Sequence, residues 1–102
     1  MARSFAKTVL ASDPDNAQAN FALGMGYFLE ERYPLAESHL KRCLEKKPNE
    51  PAVLNNLAVI ALRLGRANEA LEYAQRAFEA APESADINRT LEKARTAVSN
   101  MK

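Results

Sequence analysis

Apolar residues along this chain recur three and four positions apart. Phe21, Met25 and Phe28 form one such stripe, and Ile87, Leu91, Ala94 and Val98 form another. That spacing predicts helices that bury one face. The apolar stretch from Val53 to Leu64 is interrupted by Asn55, Asn56 and Arg63. It therefore reads as a packed helix, and as neither a membrane span nor a signal-peptide core.

The helical pattern is punctuated at a fixed interval. Pro14, Pro48 and Pro82 stand 34 residues apart, followed by Asp15-Asn16, Asn49-Glu50 and Glu83-Ser84. Proline ends a helix, and Asn or Ser can cap the next one, so each site predicts a break between helices. Laying residues 17–50 on 51–84 pairs Leu23 with Leu57, Arg32 with Arg66, Ala36 with Ala70, Arg42 with Arg76 and Glu45 with Glu79. Residue size is the stronger signal. Gly24 with Ala58, Ala36 with Ala70 and Cys43 with Ala77 are small in both units, which predicts close approach of paired helices.

The unit at 17–50 reads as a helix to about Glu30, a turn at Glu31 to Tyr33, and a return helix opened by Pro34. The unit at 51–84 repeats this, with Pro51 in the first turn and Gly65 as the stop. Residues 2–14 are in register with a return helix, and 85–100 with a leading helix. The whole is an all-α chain of six helices: an orphan return helix, two hairpins and a capping helix, in one domain over 1–102. On the capping helix Glu92 and Arg95 stand where earlier units carry small or apolar residues, so its outer face is expected to be wet.

Composition narrows the function classes. Leu, Ala and Glu dominate, and 102 residues suffice for a domain that buries roughly two thirds of its unfolded surface. Net charge is +1, which speaks against nucleic acid or an anionic membrane as partner. The single Cys43 cannot form an intrachain disulfide, and the compartment is left unknown. The chain is expected to be soluble.

These residues resemble the tetratricopeptide repeat family. Leu23-Gly24, Tyr27, Ala36, Leu40, Cys43 and Pro48 follow its pattern, with Asn20 in place of an early Trp; Leu54, Leu57-Ala58, Ala61, Ala70, Ala74, Ala77 and Pro82 follow it more loosely. The resemblance implies an alpha-alpha superhelix, a solenoid whose leading helices line a concave groove for a peptide or a partner helix. Its register places Phe21, Met25 and Phe28 in that groove, then Asn55, Asn56, Val59 and Leu62, then Arg89, Thr90 and Lys93. The stripe at Phe21 could equally be packing between helices, since a buried face shows the same spacing.

One subset of the family grips a C-terminal carboxylate through Lys, Asn and Arg at five groove positions. Here those positions hold Phe21, Met25, Asn56, Asp86 and Thr90. Only Asn56 agrees, and Asp86 would repel a carboxylate, so that ligand is not expected.

Catalytic chemistry finds little to work with. His39, the one histidine, aligns with Tyr73 of the next unit and has no Cys, Ser or acidic constellation at recognisable spacing. Cys43 reads as a small buried hydrophobe, and Gly24-Met25-Gly26 as close packing within a helix, lacking the strand and third glycine of a phosphate loop. No cofactor or metal site is expected. The chain reads as a protein-interaction scaffold and not an enzyme; the alternative is a structural spacer or oligomerisation segment with no free ligand. Ala2, Phe5, Ala6 and Val9 on the first helix are expected to form an exposed apolar strip. An upstream helix could cover it, or a weak homodimer through Phe5 and Val9.

Overall fold

The computed structural model describes residues 2–101, with side chains from Ser4 onward. Six helices follow one another: α1 (Ala2–Ser12), α2 (Ala17–Leu29), α3 (Tyr33–Lys46), α4 (Pro51–Arg63), α5 (Ala67–Ala80) and α6 (Ala85–Ser99). All regular structure among the described residues is helical. The chain divides into two compact units, residues 1–48 and 49–102. Each contains one hairpin and one further helix.

The breaks arise from caps as well as prolines. The backbone N–H of Ala19 donates to Asn16 Oδ1 at 2.9 Å, and that of Ile87 to Ser84 Oγ at 3.3 Å. Glu50, the equivalent residue between them, opens α4 with no side-chain cap bond. Asn49, part of the pair expected to supply one, is not the cap. Pro51 begins α4 instead, its missing N–H costing nothing at that position.

Both hairpin turns use the same left-handed stop. Gly65 has φ 75°, and Glu31, 34 residues earlier, has φ 61°. In the first turn Arg32 N–H donates to Tyr27 O at 2.9 Å and Glu31 N–H to Phe28 O at 3.0 Å. In the second, Arg66 N–H donates to Ala61 O at 2.8 Å and Gly65 N–H to Leu62 O at 3.2 Å. This pair of bonds is the Schellman arrangement, which satisfies carbonyls the helix end leaves over.

Small residues set the spacing inside each unit. In the first, α2 packs on α3 with Gly24 against Leu40; a Cβ on Gly24 would lie 2.8 Å from both Leu40 Cγ and Cδ2. In the second, Ala58 and Ala61 of α4, Ala70 and Ala74 of α5, and Leu91 and Ala94 of α6 form one buried cluster. The combination Gly24 with Leu40 thus becomes Ala58 with Ala74, a smaller knob for a larger floor. Ile87, Leu91 and Ala94 are buried and Val98 half-buried, as their spacing predicts. Glu92 and Arg95 pair at 3.0 Å on the exposed side of α6.

The amino-terminal edge differs from expectation. Ala6 is fully buried in a cluster with Ala19 and Leu23, and Val9 packs against that cluster. Phe5 alone stands out, 73% exposed. The continuous exposed strip is therefore not formed, because α1 turns Ala6 and Val9 onto α2. The Ala2 side chain lies outside the described residues.

Candidate interaction surfaces

In the first unit, α2 divides into two faces. Ala19, Asn20, Leu23 and Gly24 are buried, whereas Phe21, Met25 and Phe28 are each half-buried on a separate stripe. Phe28 is partly engaged within its hairpin, its ring meeting that of Tyr33 edge-on with centroids 5.8 Å apart. Phe21 and Met25 thus lie off the buried face of their helix, with Phe28 shared between the stripe and the turn.

In the second unit, Asn55, Asn56, Val59 and Leu62 are half-buried along α4. Asn55 turns its Oδ1 inward, where it is buried without a hydrogen-bond partner among the described residues. On α6, Arg89 and Lys93 are exposed. Thr90 departs from its expected place: it is 6% exposed and its hydroxyl donates to Asp86 O at 3.0 Å. A helical Thr readily bonds back to the carbonyl four residues earlier, which removes it from any ligand surface. Arg89 is paired with Asp86 at 3.1 Å, so the basic character expected there is partly neutralised.

A polar network escaped the sequence reading. Asn20 is fully buried, and its Nδ2 donates to Pro14 O at 3.0 Å and to Asn16 O at 3.2 Å. Its Oδ1 faces His39 Nδ1 at 2.9 Å. An amide oxygen only accepts, so His39 carries its proton on Nδ1 and donates. The imidazole also stacks on Tyr27, centroids 5.7 Å apart, and Arg32 lies over that same tyrosine ring at 5.2 Å. Burial first, and the Arg42 charge second, lower the His39 pKa below its usual value. A signal was present: Asn88 stands six residues after Pro82, as Asn20 does after Pro14, and its Nδ2 likewise donates to Pro82 O and Ser84 O.

Cys43 lies on α3. It is buried, its thiol donates to Ala17 O at 3.1 Å, and burial pushes its pKa up to about 11. Such a thiol is a poor nucleophile at neutral pH. Among the described residues no group of three or more His, Cys, Asp or Glu side chains could hold a metal. No helix among them is long and apolar enough to cross a membrane.

Two tetratricopeptide repeat family models match the chain, one over residues 27–94 and the other over 2–51. The chain belongs to the tetratricopeptide repeat family. Its paired helices, the 34-residue spacing of its prolines and its small-residue contacts are the features that the repeat requires. Hsp70-Hsp90 organizing protein 3 of Arabidopsis thaliana is 31% identical over 70 residues, 69% of this chain but 12% of that protein. The chain thus spans a small part of the curated relative that it matches. Solved structures of MamA superpose with TM-scores of 0.82 (MSR-1) and 0.85 (AMB-1), at 25% and 26% identity, covering 95% of this chain and 56% and 53% of theirs. The first tetratricopeptide domain of Spaghetti (RPAP3), solved with the HSP90 peptide SRMEEVD, superposes at 0.87 with 18% identity, over 95% of this chain and 77% of that one. That last likeness concerns the fold. As a tetratricopeptide repeat domain the chain is a protein-interaction scaffold.

Proposed function

We propose that this repeat domain holds an apolar peptide or helix of a partner protein and has no catalytic role of its own. The observation that carries the reading is the division of α2, with Phe21 and Met25 half-buried on a stripe apart from its buried face. Aromatic and methionine side chains offer large, adaptable contact area, which suits apolar anchors of a ligand. On the second unit, Asn55, Asn56, Val59 and Leu62 of α4, with Arg89 and Lys93 of α6, form the corresponding candidate surface. The family generally consists of interaction modules without enzymatic activity, which supports the absence of catalysis.

The ligand differs in chemistry from the carboxylate-ended HSP90 peptide bound by Spaghetti. In the first unit Phe21 and Met25 supply no charge; in the second Asp86 is paired with Arg89 and Thr90 is buried against its own helix. Two arms test this. Partner capture from a lysate should fall when Phe21 and Met25 are both changed to Glu in a chain that stays folded. SRMEEVD should bind no better with a free carboxylate than with its C-terminal amide; clear carboxylate dependence would overturn the ligand assignment.

Phe5 supports a second reading at the amino-terminal edge. A weak homodimer would pair two copies chiefly through the Phe5 ring, 73% exposed, with Val9 contributing only the part of its side chain that α2 leaves open. Sedimentation across a concentration range, with Phe5→Glu as control, measures it.

A further inference from the structure

Leu29 closes α2 and is 79% exposed. It stands four residues after Met25 and eight after Phe21, and residues four apart share a helix face, so it carries the stripe on into the hairpin turn. The second unit has Arg63 at the matching place, also exposed, with chain on both sides of that unit. The position is thus open in both repeats, and only the first fills it with a leucine. A second contrast lies two residues further. Glu31 holds φ 61° where the second unit has Gly65 at φ 75°. A side chain is strained at such an angle, and strain kept at an exposed residue points to a use for it. The two turns also differ in the sign of their charge. Glu30, Glu31 and Arg32 give the first a net −1, whereas Arg63 and Arg66 give the second +2. Arg32 is paired with Glu30 at 3.9 Å, so the excess charge of the first turn is that of Glu31.

We infer that the α2 stripe runs on through Leu29 to Glu31 and takes a partner segment whose apolar side chains are followed by a basic one, Arg or Lys, set over the first hairpin turn. This rests on the reading of the stripe as a partner surface and adds its outer end and the charge that end selects. Consecutive Cα atoms are about 3.8 Å apart, so those of Leu29 and Glu31 lie within about 7.6 Å of each other. One end of a partner segment can therefore meet both. The leucine offers the apolar contact, and the carboxylate accepts a cation and repels an acid. An exposed ion pair contributes little affinity by itself. Leu29 is accordingly the anchor, and Glu31 decides which partner is accepted.

The probe is the capped peptide acetyl-Leu-Phe-Leu-Arg-Arg-amide, titrated into the full chain and followed by amide NMR. The expected result is a saturable set of shifts running from Met25 to Arg32. Leu29→Arg installs the residue that the second unit carries at the same exposed place, so it should keep the fold while weakening binding about tenfold. Glu31→Gln keeps the backbone strain and removes only the charge, and it should weaken binding about threefold. The same peptide ending in two Glu should bind the parent more weakly than the Arg form, and that difference should shrink in the Glu31→Gln chain. No shift at the turn, a titration indifferent to Leu29→Arg, or equal binding of the Glu-ended peptide would each overturn the inference. Turn shifts that appear without peptide and grow with protein concentration would do the same, since a second copy would then be the occupant. Met25→Glu separates the two readings. Binding lost with Met25→Glu but not with Leu29→Arg leaves the stripe standing and sinks its extension, whereas binding lost with Leu29→Arg and weakened by Glu31→Gln, but indifferent to Met25→Glu, supports the turn as the docking end and tells against the stripe.

Discussion

His39 Nδ1 donates to Asn20 Oδ1 at 2.9 Å, tying α3 to α2 and, through Asn20 Nδ2, to the carbonyls of Pro14 and Asn16 in the preceding turn. One buried amide therefore holds three segments of the first unit. Every polar atom of that amide side chain is satisfied, which makes the arrangement tolerable in a dry interior.

Asn20→Ala should destabilise the chain by about 2 kcal/mol, since it leaves buried donors and acceptors unpaired and opens a small cavity. Urea unfolding measures this. A double-mutant cycle with His39→Ala should show coupling of about 1 kcal/mol, and additivity would place the two residues in separate environments.

The same histidine gives stability a pH dependence of defined sign. Its folded pKa is lowered, by burial and then by Arg42, below the unfolded value of 6.5. The folded state binds fewer protons, so this contribution is whole above about pH 6.5 and is lost as pH falls through the folded value. The urea midpoint should decline from pH 7 to pH 5.5, and His39→Phe should flatten that decline.

Gly24→Ala should cost about 1–3 kcal/mol despite the better helix propensity of alanine, because its Cβ meets Leu40 at 2.8 Å and Leu40 is fully buried. Gly24→Ala with Leu40→Ala reproduces the pairing of Ala58 with Ala74. The double variant should be more stable than the sum of the single losses predicts, and strict additivity would contradict the contact.

At the first hairpin turn a non-glycine residue stands in the left-handed region. Glu31→Gly should stabilise by about 1 kcal/mol by relieving the Cβ conflict at φ 61°. The reverse exchange at the matching stop, Gly65→Glu, should destabilise by a similar amount, with thermal unfolding as the readout.

Much of this architecture is legible in the residues themselves. Pro14, Pro48 and Pro82 mark the breaks, and the small sites at Gly24, Ala36, Ala58 and Ala70 mark the helix contacts, because steric facts of this kind are local and periodic. What escapes is what depends on three-dimensional partners. Asn20 reads as a missing aromatic until His39 is seen beside it, and Ala6 reads as exposed until α1 is seen to turn it onto α2. Thr90 has the right register for a ligand surface, yet its hydroxyl bonds its own helix and α4 packs on α6. Glu50 gave no sign that its helix begins without a side-chain cap. The candidate groove residues Phe21, Met25 and Phe28 are legible only as a stripe, since spacings of four and three do not distinguish a ligand face from a packing face.

The most direct test of the central claim, that the α2 stripe is a partner surface, is Met25→Glu measured by melting temperature and partner capture on the same preparation. The account predicts a helical spectrum and a melting temperature close to the parent, with capture much reduced, because a charge on a ligand face is tolerated until the partner must desolvate it. A collapsed melting temperature would place Met25 in the core, and undiminished capture by a folded variant would place the partner elsewhere; either result contradicts the claim.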